Sequence, residues 1–234
     1  MIKFEYRADL LEQHPDVCGG VLWATGLQNG PAPAQLVERY AAEQAAVRAR
    51  LPESLSELPT LSAWRQAFRR FGANPTKHRS AAEALLRRLQ KKGDIPGINT
   101  LVDIGNLVSI RYALPVAIFD VRHVTGRITV CLADGTERFT ELDSSEAVHP
   151  EPGEVIFVDE AKLVTARRWC WRQSDESASR LDTTTALVTV EAQHSGGREQ
   201  IEQALADLTA LLTQVAGAQV IAGVVDAQQP AFSI

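Results

Sequence analysis

Residues 93–120, GDIPGINTLVDIGNLVSIRYALPVAIFD, contain the change of pattern on which the predicted fold depends. Thr100 and Asp103 are of the types that cap helices, and they predict a helix that runs to about Tyr112. From Pro115 onward the helical period gives way to the twofold period of strands. The stretch therefore predicts a junction between a helical region and a strand-rich region.

The sequence before this junction predicts helices. Pro33 suits the first turn of a helix, Ser80 and Glu83 form a capping box, and Gly93 ends the helix that they begin. Apolar residues at helical spacing mark the buried faces. They are Leu36, Tyr40, Val47 and Leu51, then Trp64, Phe68 and Phe71, then Leu85, Leu86 and Leu89.

Strands are predicted wherever apolar residues alternate with polar ones or form a short run. The predicted strands are residues 2–6, 19–25, 128–132, 154–159, 163–171, 186–191 and 219–225, the last of them buried. Asp134 and Gly135 predict a hairpin turn that puts Phe139 on the return strand, and residues 198–215 predict an amphipathic helix. This order predicts an α+β fold with helices packed on a mixed or antiparallel sheet. Without a repeat or a clear linker, residues 1–234 are expected to form one domain.

Positive charge is concentrated in residues 61–92, although the whole chain has a net charge of −5. Nine Lys or Arg residues there face one acid, Glu83, which leaves −13 for the remainder. Clustered cations indicate a polyanionic partner, because phosphates attract them whatever the net charge of the protein. Two helices with solvated basic faces would give the same pattern.

Composition and motifs exclude several classes of protein. With 45% hydrophobic and 23% charged residues, the chain is typical of a globular protein, and its first residues lack the apolar core of a secretory signal. No apolar run is long enough to span a membrane. Cys18, Cys131 and Cys170 are far apart, and no histidine pair has metal-ligand spacing. We therefore expect free thiols, no metal, no cofactor and a cytoplasmic location.

The junction stretch resembles a known domain, the B3/B4 (tRNA-editing) domain of the bacterial phenylalanyl-tRNA synthetase β-subunit. The resemblance rests on an N-x-L-V-D-x-x-N string followed by a proline and an F-D pair, and it extends over about residues 61–193. The matching residues are Asn99, Leu101, Val102, Asp103, Asn106, Pro115, Phe119 and Asp120. It implies a B3/B4-like core, with an N-terminal strand and helix extension and a C-terminal helix and strand.

The resemblance also implies an editing pocket without metal or covalent nucleophile. Its asparagine corresponds to Asn106, and its glutamate, six residues after a threonine, corresponds to Glu191 after Thr185. The family's pocket threonine and histidine are replaced by Gly105 and Ala117. Glu191 is thus expected to hold water or substrate, and Asn106 to donate to an oxyanion. Alternatively, Glu191 ends a strand in solvent and Asn106 bonds its own helix.

The run RRWCWRQ, residues 167–173, stands where the family has a glycine-rich segment. On a strand, Trp169 and Trp171 would share one face as a stacking platform or pocket wall. They would equally suit a core. Cations at eight positions are predicted to contact tRNA phosphates: Arg69, Arg70, Lys77, Arg79, Arg87, Arg88, Arg167 and Arg172.

The resemblance therefore implies a free-standing aminoacyl-tRNA editing protein that hydrolyses the ester of mischarged tRNA in trans. The alternative is a module that binds tRNA or a small amino-acid-like ligand without catalysis. A third possibility is a domain whose basic helices contact another protein.

Overall fold

Local signals in the sequence mark both ends of one helix and the start of a second, whereas Pro33 lies just before its helix rather than in the first turn. The computed structural model describes residues 1–234, apart from the side chain of Ile2. The helices are α1 (Ala8–Gln13), α2 (Ala34–Arg50), α3 (Pro59–Arg70), α4 (Ala81–Lys92), α5 (Thr100–Tyr112) and α6 (Gly197–Ala216), with a 3₁₀ turn at Leu55–Glu57. Ser80 caps α4 by accepting from the Glu83 N–H, and Gly93 ends it with φ of 87°. Thus the predicted helix α4 is confirmed with its Ser80 cap and its Gly93 stop, but Glu83 does not complete the capping box, because its carboxylate accepts from Arg65 and Arg87 instead.

The cap of α5 differs from the prediction. Asn99, rather than Thr100, occupies the cap position and accepts a hydrogen bond from the Val102 N–H. The Asp103 carboxylate instead reaches back to accept from the Ile98 N–H at 2.8 Å. The two polar side chains together satisfy backbone donors at the start of the helix that links the helical and strand-rich parts.

Strands form two principal sheets. Their bounds are β1 (Ile2–Tyr6), β2 (Cys18–Thr25), β3 (Val116–Asp120), β4 (Ile128–Leu132), β5 (Phe139–Thr140), β6 (Ala147–Val148), β7 (Val155–Val158), β8 (Val164–Arg167), β9 (Arg172–Gln173), β10 (Thr185–Ala192), β11 (Gln219–Val225) and β12 (Ala231–Ser233). One sheet is antiparallel throughout, in the order β11-β2-β10-β3. The other, β12-β1-β4-β7-β8-β9, is mixed because β1 and β4 are parallel.

Two hydrophobic cores lie on opposite faces of the four-stranded sheet. Leu22, Val188 and Val190 face α2, α4, α5 and α6, whose apolar residues cover that side. On the opposite side, residues such as Val21 and Leu187 meet Phe157 of the six-stranded sheet. The result is an α+β fold with a sheet sandwiched between helices and a second sheet, which confirms the predicted fold class.

Three strand predictions are wrong in detail. The predicted strand 163–171 stops at Arg167, because Arg168 and Trp169 adopt φ of 44° and 60°. Asp134 and Gly135 do not join paired strands, since β4 pairs with β7 and Phe139 lies in β5, paired with β6. The strand at residues 219–225 is largely exposed at the sheet edge. Strand partners are set by distant residues, which local pattern does not specify.

Within the part of the chain that the structure describes, no helix has the length and apolar character needed to cross a lipid bilayer.

Candidate nucleic-acid interface and adjoining cavities

A basic cleft of about 530 Å³ runs along α4. Arg87, Arg88, Lys91 and Lys92 lie one turn apart in pairs, so the helix presents them side by side. We call this the basic cleft. The residues that line it are Lys77, Arg79, Ala84, Arg87, Arg88, Lys91, Lys92, Trp171 and Arg172. Seven of the lining residues are cations and none is an acid, so the cleft is strongly electropositive.

A single buried carboxylate holds part of the cleft in place. Oε1 of Glu83 accepts from Arg65 at 2.8 Å and from Arg87 at 2.9 Å, and Arg79 Nε lies 3.8 Å away. The Glu83 side chain is only 3% exposed. A charge buried to this extent requires such partners. The glutamate that the sequence assigns to a capping box therefore orients two guanidinium groups of the basic cleft, those of Arg79 and Arg87.

Trp171 forms the end of the cleft that lies next to a second cavity. Its ring centroid is 4.7 Å from the Arg168 guanidinium and 4.6 Å from that of Arg172. The His78 ring packs against it edge-on, with centroids 4.7 Å apart. These cation–π contacts fix an aromatic surface at the rim of a cationic cleft.

Three predicted tRNA contacts lie elsewhere. Arg69 and Arg70 are exposed on α3 but do not line the basic cleft. Arg167 is a correction: its side chain is 9% exposed and forms two hydrogen bonds, both 2.9 Å, to the buried carboxylate of Glu154. Its charge is neutralised inside the fold, so it is not a phosphate contact.

A small apolar cavity of about 80 Å³ adjoins the basic cleft, and Trp171 and Arg172 line both. We call it the Glu191 cavity. Ala117, Trp169 and Glu191, all named as site residues in the sequence analysis, are among its walls. The remaining lining residues are Ala81, Pro115, Val116, Phe157, Ala166, Cys170, Gln173 and Thr189.

Glu191 is 2% exposed, and both of its hydrogen bonds go to Oε1. Tyr6 donates its hydroxyl at 2.7 Å and Trp169 its indole N–H at 3.1 Å. Burial raises the pKa of Glu191 to about 7, against the opposing effect of these two donors. The carboxyl group can therefore accept and release a proton near neutral pH.

A third cavity, of about 320 Å³, contains Asn106 and Gly105. We call it the Asn106 cavity. It is large enough for a small ligand, and Val116 and Gln173 separate it from the Glu191 cavity by lining both. Gly105 allows α5 to approach β3, because a Cβ there would lie 3.0 Å from Ile118 Cδ1.

The predicted convergence of Asn106, Glu191 and both tryptophans on a single cavity is wrong. Asn106 lies across the Val116 and Gln173 wall from Glu191. Thr185 is at the opposite end of β10, six residues and about 20 Å from Glu191, and lines neither cavity.

The tryptophans also depart from the prediction, because left-handed residues interrupt the strand. Trp169 is fully buried and stacks edge-on against Trp64 and His14, whereas Trp171 is partly exposed at the basic cleft. They therefore form no common stacking platform. His123, the nearest histidine in sequence to Ala117, is exposed and does not line the Glu191 cavity.

Some site residues were missed by the sequence reasoning. Lys91 and Lys92 line the basic cleft, and their four-residue spacing from Arg87 and Arg88 was the available signal. Tyr6 contacts Glu191 across 185 residues of sequence, and no local pattern indicates such a partner.

Comparison with known proteins identifies the class of protein that this fold and site define. The family described as the B3/4 domain matches residues 63–217, and the chain belongs to that family.

Two relatives are phenylalanine–tRNA ligase β subunits. The one from Shewanella oneidensis is 33% identical over 88 residues, covering 38% of this chain and 11% of the relative. The one from Fusobacterium nucleatum is 26% identical over 171 residues, covering 64% of this chain and 21% of the relative. The chain thus spans at most about a fifth of the length of either.

A solved structure gives the same fold at low identity. An N-terminal fragment of the phenylalanyl-tRNA synthetase β-subunit from Pyrococcus horikoshii aligns with a TM-score of 0.52 and 12% identity. The alignment covers 93% of this chain and 50% of that fragment. At this identity the similarity defines the fold alone.

Proposed function

We propose that this protein binds tRNA through the basic cleft and directs the aminoacylated end towards the two adjoining cavities. The observation that carries the proposal is the meeting of seven cations, Trp171 and the Glu191 cavity at one place. The family supports it, because the relatives are subunits of a tRNA ligase. Phosphates would lie along α4, and the aromatic rim would contact the terminal nucleotides.

Salt dependence provides a first test. Contacts with about four phosphates give a slope of roughly −3 for log K against log salt concentration. Reversing charge at Arg88 and Lys92, both exposed on the cleft side of α4, should weaken binding at least tenfold at about 0.1 M salt and flatten that slope. Arg39→Glu, on the exposed face of α2, is compared with Arg88→Glu alone, so that the control has the same change in net charge. Equal losses in both variants would contradict a localised interface.

A second candidate is hydrolysis of the aminoacyl ester in trans. It is favoured by the position of Glu191, whose pKa is about 7, in the wall of a cavity with room for two or three waters. Glu191 would take a proton from a water that attacks the ester carbonyl carbon. The bond from that carbon to the ribose oxygen would break, and the oxygen would leave with a proton.

The two cavities suggest how a substrate would lie in this reaction. The amino acid would occupy the larger Asn106 cavity, and its ester would reach the wall formed by Val116 and Gln173. From there the carbonyl carbon would face water held beside Glu191. Asn106 would then bind the amino acid or donate to the oxyanion, and Arg172 would add positive charge at the cavity mouth.

The deciding assay incubates a panel of mischarged tRNAs with wild type, Glu191→Gln and Asn106→Ala. Glutamine keeps an oxygen for the Tyr6 and Trp169 donors but removes the base, so hydrolysis should stop while tRNA binding persists. If Asn106 donates to the oxyanion, its loss should slow hydrolysis about 10²–10³-fold. If the wild-type protein hydrolyses none of these tRNAs faster than buffer does, hydrolysis is ruled out and only the tRNA-binding proposal remains.

The non-catalytic alternative has its own support. Ala117 supplies no titratable group where the resemblance places a histidine, and Asn106 is separated from Glu191. A module that only binds tRNA or an amino-acid-like group would retain the salt dependence and lose the hydrolysis. The two experiments together therefore distinguish enzyme from binder.

A further inference from the structure

A groove of about 390 Å³ lies between α2 and the segment that connects α4 to α5. It shares no lining residue with the basic cleft, the Glu191 cavity or the Asn106 cavity. Its polar groups come from Tyr40, Gln44 and Arg48 on α2, Asp94 in the connecting segment, and Asp103 on α5. We call it the Arg48 groove. Its size is that of a site for a small molecule.

The wall of the groove is fixed by a pair of hydrogen bonds. Gln44 Oε1 accepts from the Ile95 N–H at 2.7 Å, and its Nε2 donates to the Ile95 carbonyl at 3.1 Å. Gln44 is therefore fully engaged in holding the connecting segment against α2. The groove is formed before any ligand arrives, which lowers the entropic cost of binding.

Two other polar groups in the groove, both on α2, are not fully used by the fold. Tyr40 is 3% exposed, and its hydroxyl forms no hydrogen bond with a described residue, although the Asn106 side chain lies close enough to oppose the effect of burial on the pKa of Tyr40. Arg48 forms no ion pair with any described side chain. A buried hydroxyl without a partner is uncommon and is usually satisfied by an ordered water or a bound molecule.

Asp103 adds an acceptor at the floor of the groove. It is 2% exposed, and only Oδ1 is used, by the Ile98 N–H. Gly97 leaves Oδ2 uncovered, since a Cβ at that position would lie 2.9 Å from it. Burial raises the pKa of Asp103, and no described cation forms an ion pair with it. A cationic donor at Oδ2 would stabilise the ionised carboxylate.

The cation and the two carboxylates of the groove together favour a ligand that carries one positive and one negative charge. A simple anion would be attracted by Arg48 but repelled by Asp94 and Asp103. A divalent cation would need about six oxygen ligands and would be repelled by Arg48. A small zwitterion satisfies both signs at once.

We propose that the Arg48 groove binds a small zwitterion of the size of a free α-amino acid. Its carboxylate would pair with Arg48, its ammonium would donate to Oδ2 of Asp103, and the Tyr40 hydroxyl would hydrogen-bond to the bound molecule. The site lies apart from the proposed tRNA interface, so either can fail without the other. Asp103 and Asn106 are three residues apart on α5, so an amino acid bound here would lie close to the side chain of Asn106.

The test is calorimetric titration of the full chain with free amino acids, using their N-acetyl and amide derivatives as probes that each lack one charge. We expect saturable binding of at least one free amino acid, and at least tenfold weaker binding of both of its derivatives. Equal affinity for the derivatives, or no binding of any free amino acid at about 10 mM, would overturn the proposal.

Variants locate the site. Arg48→Met keeps the aliphatic stem and should weaken binding at least tenfold, whereas Arg39→Met on the same helix should not. Tyr40→Phe removes only the hydroxyl and should weaken binding several-fold, and Gly97→Ala should block access to Asp103 Oδ2. Because Arg48 is exposed, its variant tests the site even if Gly97→Ala fails to fold. Wild-type affinity in Arg48→Met would contradict the assignment.

Discussion

At the scale of single residues, Glu191 and His14 are two buried groups whose pKa values move in opposite directions. Burial raises that of Glu191 to about 7 and lowers that of His14 to about 4. The His14 ring packs edge-on against Trp169, and the Glu191 carboxylate accepts a hydrogen bond from the Trp169 indole, so the two groups belong to the same buried cluster. Their effects on stability therefore have opposite signs and must be separated experimentally.

We predict that Glu191→Gln stabilises the protein above neutral pH. Unfolded glutamate loses its proton near pH 4.5, but folded Glu191 keeps it to about 7, so wild-type stability falls as the pH rises across this window. The difference is on the order of 3 kcal/mol above pH 7. Urea unfolding of both proteins at pH 5 to 8 measures it.

Comparison with the variant cancels the contribution of His14, which destabilises the fold as the pH falls from 6.5 to about 4. A stability difference between wild type and Glu191→Gln that does not change with pH would show that the carboxyl titrates normally.

Glu83 gives a prediction of unexpected sign. We expect Glu83→Gln to weaken tRNA binding several-fold even though it removes a negative charge beside the basic cleft. Its carboxylate orients Arg87 and Arg79, and side chains that must be ordered on binding lose affinity. Affinity is measured by titration at fixed salt.

The matched control is Glu12→Gln, an exposed glutamate with the same change of charge. Circular dichroism confirms that the Glu83 variant is folded. Tighter binding by that variant would mean that the Arg79 and Arg87 guanidinium groups bind phosphates better when they are not paired with Glu83.

Glu191 is predictable from the family resemblance, but the two donors to its carboxylate are not. Tyr6 on β1 and Trp169 in the turn after β8 reach its carboxylate on β10 only because distant parts of the sequence pack together. The separation of Asn106 from Glu191 has a similar cause, since Val116 and Gln173 stand between them in space and not in sequence.

At the scale of elements, helices were predicted better than strand pairings. The caps of α4 are local, so four consecutive residues specify its start. The partner of β4 is β7, and nothing near the Asp134-Gly135 turn encodes that choice. The left-handed Arg168 and Trp169 were also missed, because these residue types rarely adopt positive φ.

The two basic helices should contribute unequally to tRNA binding. Charge reversal at Arg69 and Arg70 on α3 should cost less affinity than reversal at Arg88 and Lys92 on α4, because only the α4 residues line the basic cleft. Titrations of both double variants at about 0.1 M salt compare them directly. A larger loss from the α3 variant would move the interface away from α4.

At the scale of the whole molecule, the family core predicted at about residues 61–193 omits structural strands. β2 lies between β10 and β11, and β1 lies between β12 and β4. We propose that residues 1–234 form the folding unit. The family match ends at residue 217, so the strand at the edge of the sheet lies beyond it.

We predict that a fragment of residues 61–193 fails to fold, because β10 would lose its β2 partner and the apolar face of α6. The free-energy cost of exposing that much apolar surface exceeds the free energy of unfolding of an ordinary domain. Circular dichroism and thermal unfolding of the fragment and the full chain provide the measurement. A cooperative unfolding transition in the fragment would show that residues 61–193 fold by themselves and would contradict this prediction.

The central position of β2 has a kinetic consequence. Thr25 pairs with Thr185, and Gly19 pairs with Val225. The four-stranded sheet therefore joins residues that are far apart in the sequence. Such contacts require long loops to close before any stabilisation is gained, and they slow folding. During synthesis, the apolar strand CGGVLWAT would wait unpaired until β10 and β11 had emerged. The nascent chain is thus a candidate client for chaperones that shield exposed strands.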